Sequence, residues 1–234
     1  MKTIIVLLIA LGVAAAARDE SLKVVTSLRA LQPAYRDLNV FVVDAVANSK
    51  RSVSDIIFEF HTQVADSKEQ YLRSAIQDET KILQKIGSSS MSDESCLSLL
   101  RTKVNLDVLL AGIKFSTCIV EIDDQLNEQI AKVYGELDGS SGSPTKNSIY
   151  QAFRGLNIFQ DPQAIDIKLQ EKLEELKKLP TELTDTFQGY VKDFRSQLVP
   201  IVAKYKGCLK ANDDLLSEAF GITSKQLSVL CEGK

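Results

Sequence analysis

Four cysteines are the most chemically capable residues of this chain: Cys96, Cys118, Cys208 and Cys231. Thiols form disulfides, hold zinc or act as nucleophiles, and spacing separates these uses. No CxxC pair occurs and there is one histidine, so a zinc site lacks its ligands. That histidine, His61 in FEFHTQV, flanks an apolar stripe, four residues after Ile57 and three before Val64. A lone histidine in that position reads as structural or solvated. Without a second histidine, a redox thiol pair or a GxSxG elbow, hydrolase chemistry lacks its parts. GSSGSP has the composition of a phosphate loop but no GK[ST] ending and no preceding strand, so it reads as linker. Glu121, Asp123 and Asp124 form an acidic cluster without the spacing of a calcium loop. The sequence therefore assigns no catalytic, cofactor-binding or metal-ligating residue. Enzymatic activity and a cofactor are not expected.

The four cysteines acquire a meaning from the start of the chain. MKTIIVLLIALGVAAAA, residues 1–17, has a positive Lys2, an apolar run from Ile4 to Val13 and small residues at Ala15, Ala16 and Ala17. This is the pattern of a secretory signal peptide, with Arg18 as the expected new N-terminus. No later stretch approaches about 18 consecutive apolar residues, so no membrane insertion is expected after signal cleavage. A secreted, extracellular location permits disulfides, and an even cysteine count suits them. The formal charge is −3, or −4 once Lys2 leaves with the leader, and there is no basic block. Nucleic acid is thereby excluded as an expected partner.

The elements that must position the cysteines read as helices. Tryptophan is absent, and glycine and proline are few. Residues 20–50 are predicted helical with an interruption at Pro33, although LNVFVVDAV is rich in β-branched residues. A helix is predicted to start after Ser52, with Asp55 as a weak capping partner. Its stripe is Val53, Ile56, Ile57, Phe60, Val64, Leu72, Ile76, Leu83 and Ile86. Gly87 ends it. A second helix is capped by Ser92 or Asp93 and carries Leu97, Leu100, Val104 and Val108. It continues along the seam Phe115, Ile119, Ile122, Leu126, Ile130, Val133 and Leu137, with Gly112 as a soft spot. A flexible loop at 138–146 and a short helix near 148–159 follow. Asp161 and Pro162 then open a helix with Leu169, Leu173 and Leu176 inward and Glu174 placed to pair with Lys178. Pro180 is read as a boundary. The last seam, Leu183, Phe187, Tyr190, Phe194, Leu198, Ile201, Tyr205 and Cys208, is expected to kink at Pro200. Asn212 is read as a new start and Gly221 as a stop. Thr223 and Gln226 are read as a capping box for a final short helix.

An unbroken helix separates Cys96 from Cys118 by about 33 Å, whereas a disulfide needs Cα atoms within roughly 7 Å. Excluding that pair excludes its complement, Cys208–Cys231. Two connectivities remain: Cys96–Cys208 with Cys118–Cys231, or Cys96–Cys231 with Cys118–Cys208. Either one ties the central helix to the C-terminal helices at two heights. A local pairing stays open if the chain breaks at Gly112 and folds back at Gly221. The expected fold class is all-α: an elongated bundle of amphipathic helices stapled by two disulfides. Its parts are an N-terminal helical segment, 18–86, and a four-cysteine helical domain, 92–234.

The stretches CLSLL…STC and GCLKAN…VLC, with a leader and a helical body, resemble the insect secreted proteins that carry a TsetseEP-type domain. The resemblance covers about residues 90–234 and rests on Cys96, Cys118, Cys208, Cys231 and the seams between them. The Glu-Pro repeats of the family's namesake are missing here. The resemblance implies a protein of gut lumen or haemolymph with a defence-related role, and it brings no catalytic residue. The expected function is thus a non-enzymatic binding protein whose partner is another protein or a microbial surface. The alternative is an extracellular carrier of lipid or a small apolar ligand in a helical cavity. Phe41, Phe58, Phe60, Phe115, Phe187 and Phe194 would be its candidate liners.

Overall fold

The computed structural model describes residues 2–89, 93–141 and 149–231. It is all-α: three long helices, α1 (Lys2–Ser88), α2 (Glu94–Ser141) and α3 (Pro162–Gln226), carry nearly all of the described residues. A 3-10 turn, Ile149–Phe153, precedes α3, and a π-helical turn, Leu227–Cys231, ends it. No strand occurs among the described residues. LNVFVVDAV is helical, in keeping with its position inside an apolar stripe of helical period.

The helices are longer than local sequence signals suggest. Pro33 lies inside α1, and α3 passes through both Pro180 and Pro200. Ser52 starts nothing, because α1 is already helical there. Asn212, Gly221 and Thr223 are likewise interior to α3. The reason is packing. Leu31 and Leu38 continue the buried stripe across Pro33, Leu176 and Leu183 across Pro180, and Leu198, Ile201 and Tyr205 across Pro200. An interior proline costs about 3 kcal/mol, while each large apolar side chain buried beyond it contributes about 1.5–3 kcal/mol. Several such residues outweigh one lost amide bond. Pro33 and Pro200 are also exposed, so water reaches the carbonyls they leave unpaired. The Pro180 carbonyl accepts the Thr184 hydroxyl at 2.7 Å.

Helix ends follow recognisable local chemistry. Asp93 caps α2: its Oδ1 accepts the Ser95 amide at 3.1 Å and its carbonyl accepts the Leu97 amide. Ser92 lies outside the described residues. α2 continues through residues 138–141, which the sequence placed in a loop; the remainder of that predicted loop, 142–146, lies outside the described residues. The helix predicted near 148–159 reduces to the 3-10 turn. After it Gly155 adopts φ +77°, a value that side chains disfavour. Asp161 precedes α3 as expected, but its carboxylate accepts the Asn157 amide upstream (3.1 Å). The predicted leader is helical from Lys2, with Met1 outside the described residues. Among the described residues no helix is long and apolar enough to cross a membrane.

The chain forms two compact units, and each draws on all three helices. The sequence boundaries at 18–86 and 92–234 follow chain order instead. One unit comprises residues 2–52 and 133–192. Its core is Val24, Leu31, Leu38 and Val42 of α1, Val133 and Leu137 of α2, and Ile165, Leu169, Leu176, Leu183 and Phe187 of α3. Glu20 meets Gln163, and Ser27 donates to Asp166, so α1 and α3 run parallel within this unit. Lys50 joins α1 to α2 by an ion pair with Asp138 at 2.7 Å, its ammonium 5.6 Å from the centre of the Tyr134 ring. On the outer face Glu174 pairs with Lys177 at 2.6 Å, one residue earlier than the partner read from the sequence.

The other unit comprises residues 53–132 and 193–231. Within it Glu59 pairs with Arg195, Ser74 with Asp213 and Lys85 with Ser224, which sets α1 and α3 parallel. Glu121 pairs with Lys204, and α2 runs antiparallel to α3. The stripe of α1 is buried at Val53, Ile56, Phe60 and Val64 as read from sequence. Beyond them, Tyr71 and Ile82 are buried where Leu72 and Ile76 were expected; those two are 44% and 59% exposed. The stripe is narrower than an ideal 3.6-residue period projects, as in supercoiled helices.

Candidate functional site

The second unit holds all four cysteines and most of the polar chemistry of the interior. Cys96 is bonded to Cys231, with Cα atoms 5.8 Å apart, and Cys118 to Cys208, with Cα atoms 6.0 Å apart. This is one of the two connectivities that the unbroken central helix leaves open. Helix α2 indeed passes through Gly112 without a break. Antiparallel α2 and α3 make this pairing the natural one: as one helix ascends, the other descends, so the first cysteine meets the last. No thiol remains free.

Between the two bridges lies a junction that sequence reading missed. Asn212 of α3 is 3% exposed, and its amide donates to the Tyr71 hydroxyl of α1 at 2.7 Å and to the Ala111 carbonyl of α2 at 2.8 Å. One side chain thereby joins three helices, with both amide hydrogens used. The Tyr71 ring stacks on Phe115 of α2, centroids 5.2 Å apart. Burial raises the Tyr71 phenol above its ordinary value and nearby Asp213 adds to this, while the Asn212 bond opposes them. The signal was present in the sequence, because Asn212 falls seven residues after Tyr205 and continues the seam.

Tyr205 is buried without a hydrogen-bond partner for its hydroxyl, and burial pushes its pKa up to about 12. Thr223 is fully buried and returns its hydroxyl to the Ala219 carbonyl, so it opens no new helix. His61 is exposed and meets Phe60 edge to face. Glu121 is engaged with Lys204 at 3.2 Å, and Asp123 accepts the Asn127 amide. No group of three or more acidic, histidine or cysteine side chains able to hold a metal occurs among the described residues.

Two open grooves of this unit lie between α1 and α3, and a recess of only about 10 Å³ lies between α2 and α3 beside the Cys118–Cys208 bridge. One, of about 520 Å³, is polar, lined by Gln63, Asp66, Gln70, Tyr71, Lys206 and Lys210. The next, of about 390 Å³, shares Gln63 and Lys206 with it and has an apolar floor of Ile56, Phe60, Leu198 and Val202. The Glu59–Arg195 pair, 2.9 Å, stands on its rim, and Val199 is 66% exposed at its lip. The six phenylalanines proposed as liners have different fates. Phe60, Phe187 and Phe194 are packed in the cores, Phe41 and Phe115 are half-buried, and Phe58 is 73% exposed. Phe41 and Phe187 belong to the first unit and the other four to the second.

An apolar floor with a charged rim can recognise an extended or helical ligand by surface contact, and it does not enclose a small molecule. Compared with models of known families, with curated proteins and with solved structures, the chain matches none.

Proposed function

We propose that this chain is a secreted, non-catalytic helical binding protein of an insect, acting in the gut lumen or haemolymph with a defence-related role. The observation that carries the reading is the open groove over Ile56, Phe60, Leu198 and Val202, set in the unit braced by both disulfides. The bridges fix the α3 wall against α2, and the α1 wall is held by core packing and the Glu59–Arg195 ion pair, so the strip is largely formed before a partner arrives, which lowers the ordering cost of binding. The leader-like residues 1–17 and the resemblance to TsetseEP-type proteins support the extracellular setting. The partner is a protein or a component of a microbial surface. The carrier alternative finds less support, because the described grooves are open and the aromatic side chains are divided between separate cores.

Cosedimentation of the purified, disulfide-bonded protein with intact Gram-negative and Gram-positive cells tests the reading. Saturable binding that Val199→Asp weakens about tenfold is expected, as for loss of one apolar contact at an interface. No binding to either cell type, or binding that Val199→Asp leaves unchanged, counts against it. Native mass spectrometry of protein purified from its source, followed by organic extraction, distinguishes the carrier: stoichiometric copurifying lipid would favour that alternative.

A further inference from the structure

We infer that the outer face of α2 is the interface of an antiparallel dimer of this chain. Six large aliphatic side chains stand on that face: Leu99, Leu106, Leu109, Leu110, Ile113 and Val120. Each is between 50% and 71% exposed. At about 100° per residue they point away from the buried seam of the same helix, Leu97, Val104, Ala111 and Cys118. Leu97, Val104, Ala111 and Cys118 repeat every seven residues, and so do Leu99, Leu106, Ile113 and Val120, with Leu109 and Leu110 on either side of the second row, so α2 carries two opposed seams and uses one of them internally. A solvated helix face has no physical need of a second seam.

The positions identify the occupant. The six residues are symmetric about the point midway between Leu109 and Leu110. A two-fold axis through that point places Leu99 opposite Val120 of a second copy, Leu106 opposite Ile113, and Leu109 opposite Leu110. Every apolar residue then meets an apolar residue. This self-complementarity is what an isologous interface requires, and an unrelated partner would not impose it. Charge points to the same orientation. Lys103 and Glu121 flank the stripe on one side, near its two ends. In the antiparallel arrangement each lies about five residues, roughly 7.5 Å of helix rise, from its opposite on the other copy. In a parallel arrangement the two-fold axis would place the two flanks on opposite sides of the seam, and Lys103 would not meet Glu121. Each already has a partner in its own copy, Asp107 and Lys204, so the contribution is to orientation more than to affinity. At about 60–100 Å² of exposed apolar surface per side chain, the stripe offers roughly 400–600 Å² per copy. A standard interface buries ~800 Å² per partner, its polar rim included.

Sedimentation velocity of the intact disulfide-bonded protein, from low to high micromolar, tests the inference. A monomer–dimer equilibrium is expected. Two double variants are compared, Leu106→Glu with Ile113→Glu, and Leu106→Lys with Ile113→Lys. Each alone is expected to raise the dissociation constant by about 100-fold or more, since each change occurs twice in the dimer. An equimolar mixture is expected to recover a heterodimer, because position 106 faces position 113. Circular dichroism is expected to be unchanged, as the substituted residues lie opposite the core. On the unsubstituted protein, carboxyl–amine cross-linking of mixed ¹⁴N and ¹⁵N copies is expected to join Lys103 of one copy to Glu121 of the other. A wild-type chain that stays monomeric throughout overturns the inference. So does a dimer that survives both double variants, a mixture that does not associate, or intermolecular links that join Lys103 only to Glu94 or Asp107 of the other copy.

Discussion

Asn212 concentrates more of the interior's polar chemistry than any other residue described. Its amide satisfies a phenol and a carbonyl from two other helices while itself 3% exposed. Truncation removes both bonds and leaves the Tyr71 hydroxyl and the Ala111 carbonyl without this partner, so Asn212→Ala is expected to lower stability by about 1–3 kcal/mol, read from urea unfolding. Tyr205 is the opposite case, a buried hydroxyl that bonds nothing. Tyr205→Phe removes that burden and is expected to be neutral or stabilising by up to about 1 kcal/mol. Its pH dependence has a definite sign. The native phenol, near 12, holds its proton more tightly than an ordinary tyrosine at 10. The resulting stability is fully present below pH 10 and is lost as pH rises toward 12. Tyr205→Phe is therefore expected to flatten alkaline unfolding between those values, measured by circular dichroism against pH.

At the scale of the element, what was legible was the seam, and what was not was where each helix stops. Val53, Ile56, Phe60 and Val64, or Leu198, Ile201 and Tyr205, announce their burial through spacing alone. Pro180, Pro200, Asn212 and Gly221 announce breaks that do not occur, because propensity is local whereas a stripe packed on two neighbours is not. Tyr71 and Ile82 were missed for a geometric reason. An ideal helical period drifts from the supercoiled one over several turns, so a projection that is right at Val53 is wrong by Leu72. The cysteine pairing was legible down to two choices, and the antiparallel direction of α2 and α3 decided it. Gly112 shows the same tension between local and packed preference. It sits in mid-helix with nothing within 4 Å of where a Cβ would stand. Gly112→Ala is expected to stabilise the chain by about 0.5–1 kcal/mol, observed as a raised thermal midpoint.

Across the whole molecule, covalent reinforcement is uneven. Both bridges lie in the unit of residues 53–132 and 193–231, and neither lies in the other. Reduction is expected to cost about 2–4 kcal/mol per bridge. Hydrogen exchange followed by mass spectrometry should show faster exchange in peptides from 94–132 and 193–226 after reduction, with a smaller change in 162–192. Uniform acceleration would show that the units unfold together. The same two bonds also decide what a digestive protease could achieve. Both join α2 to α3, and none reaches α1. A single cut between Ser141 and Ile149 leaves two polypeptides that still migrate as one band on a non-reducing gel. A single cut between Ser89 and Asp93 leaves the entire first helix as a separate chain, retained by packing, ion pairs and hydrogen bonds but by no covalent bond. The connection between α1 and α2 is thus the point at which one hydrolysed peptide bond can dismantle the molecule.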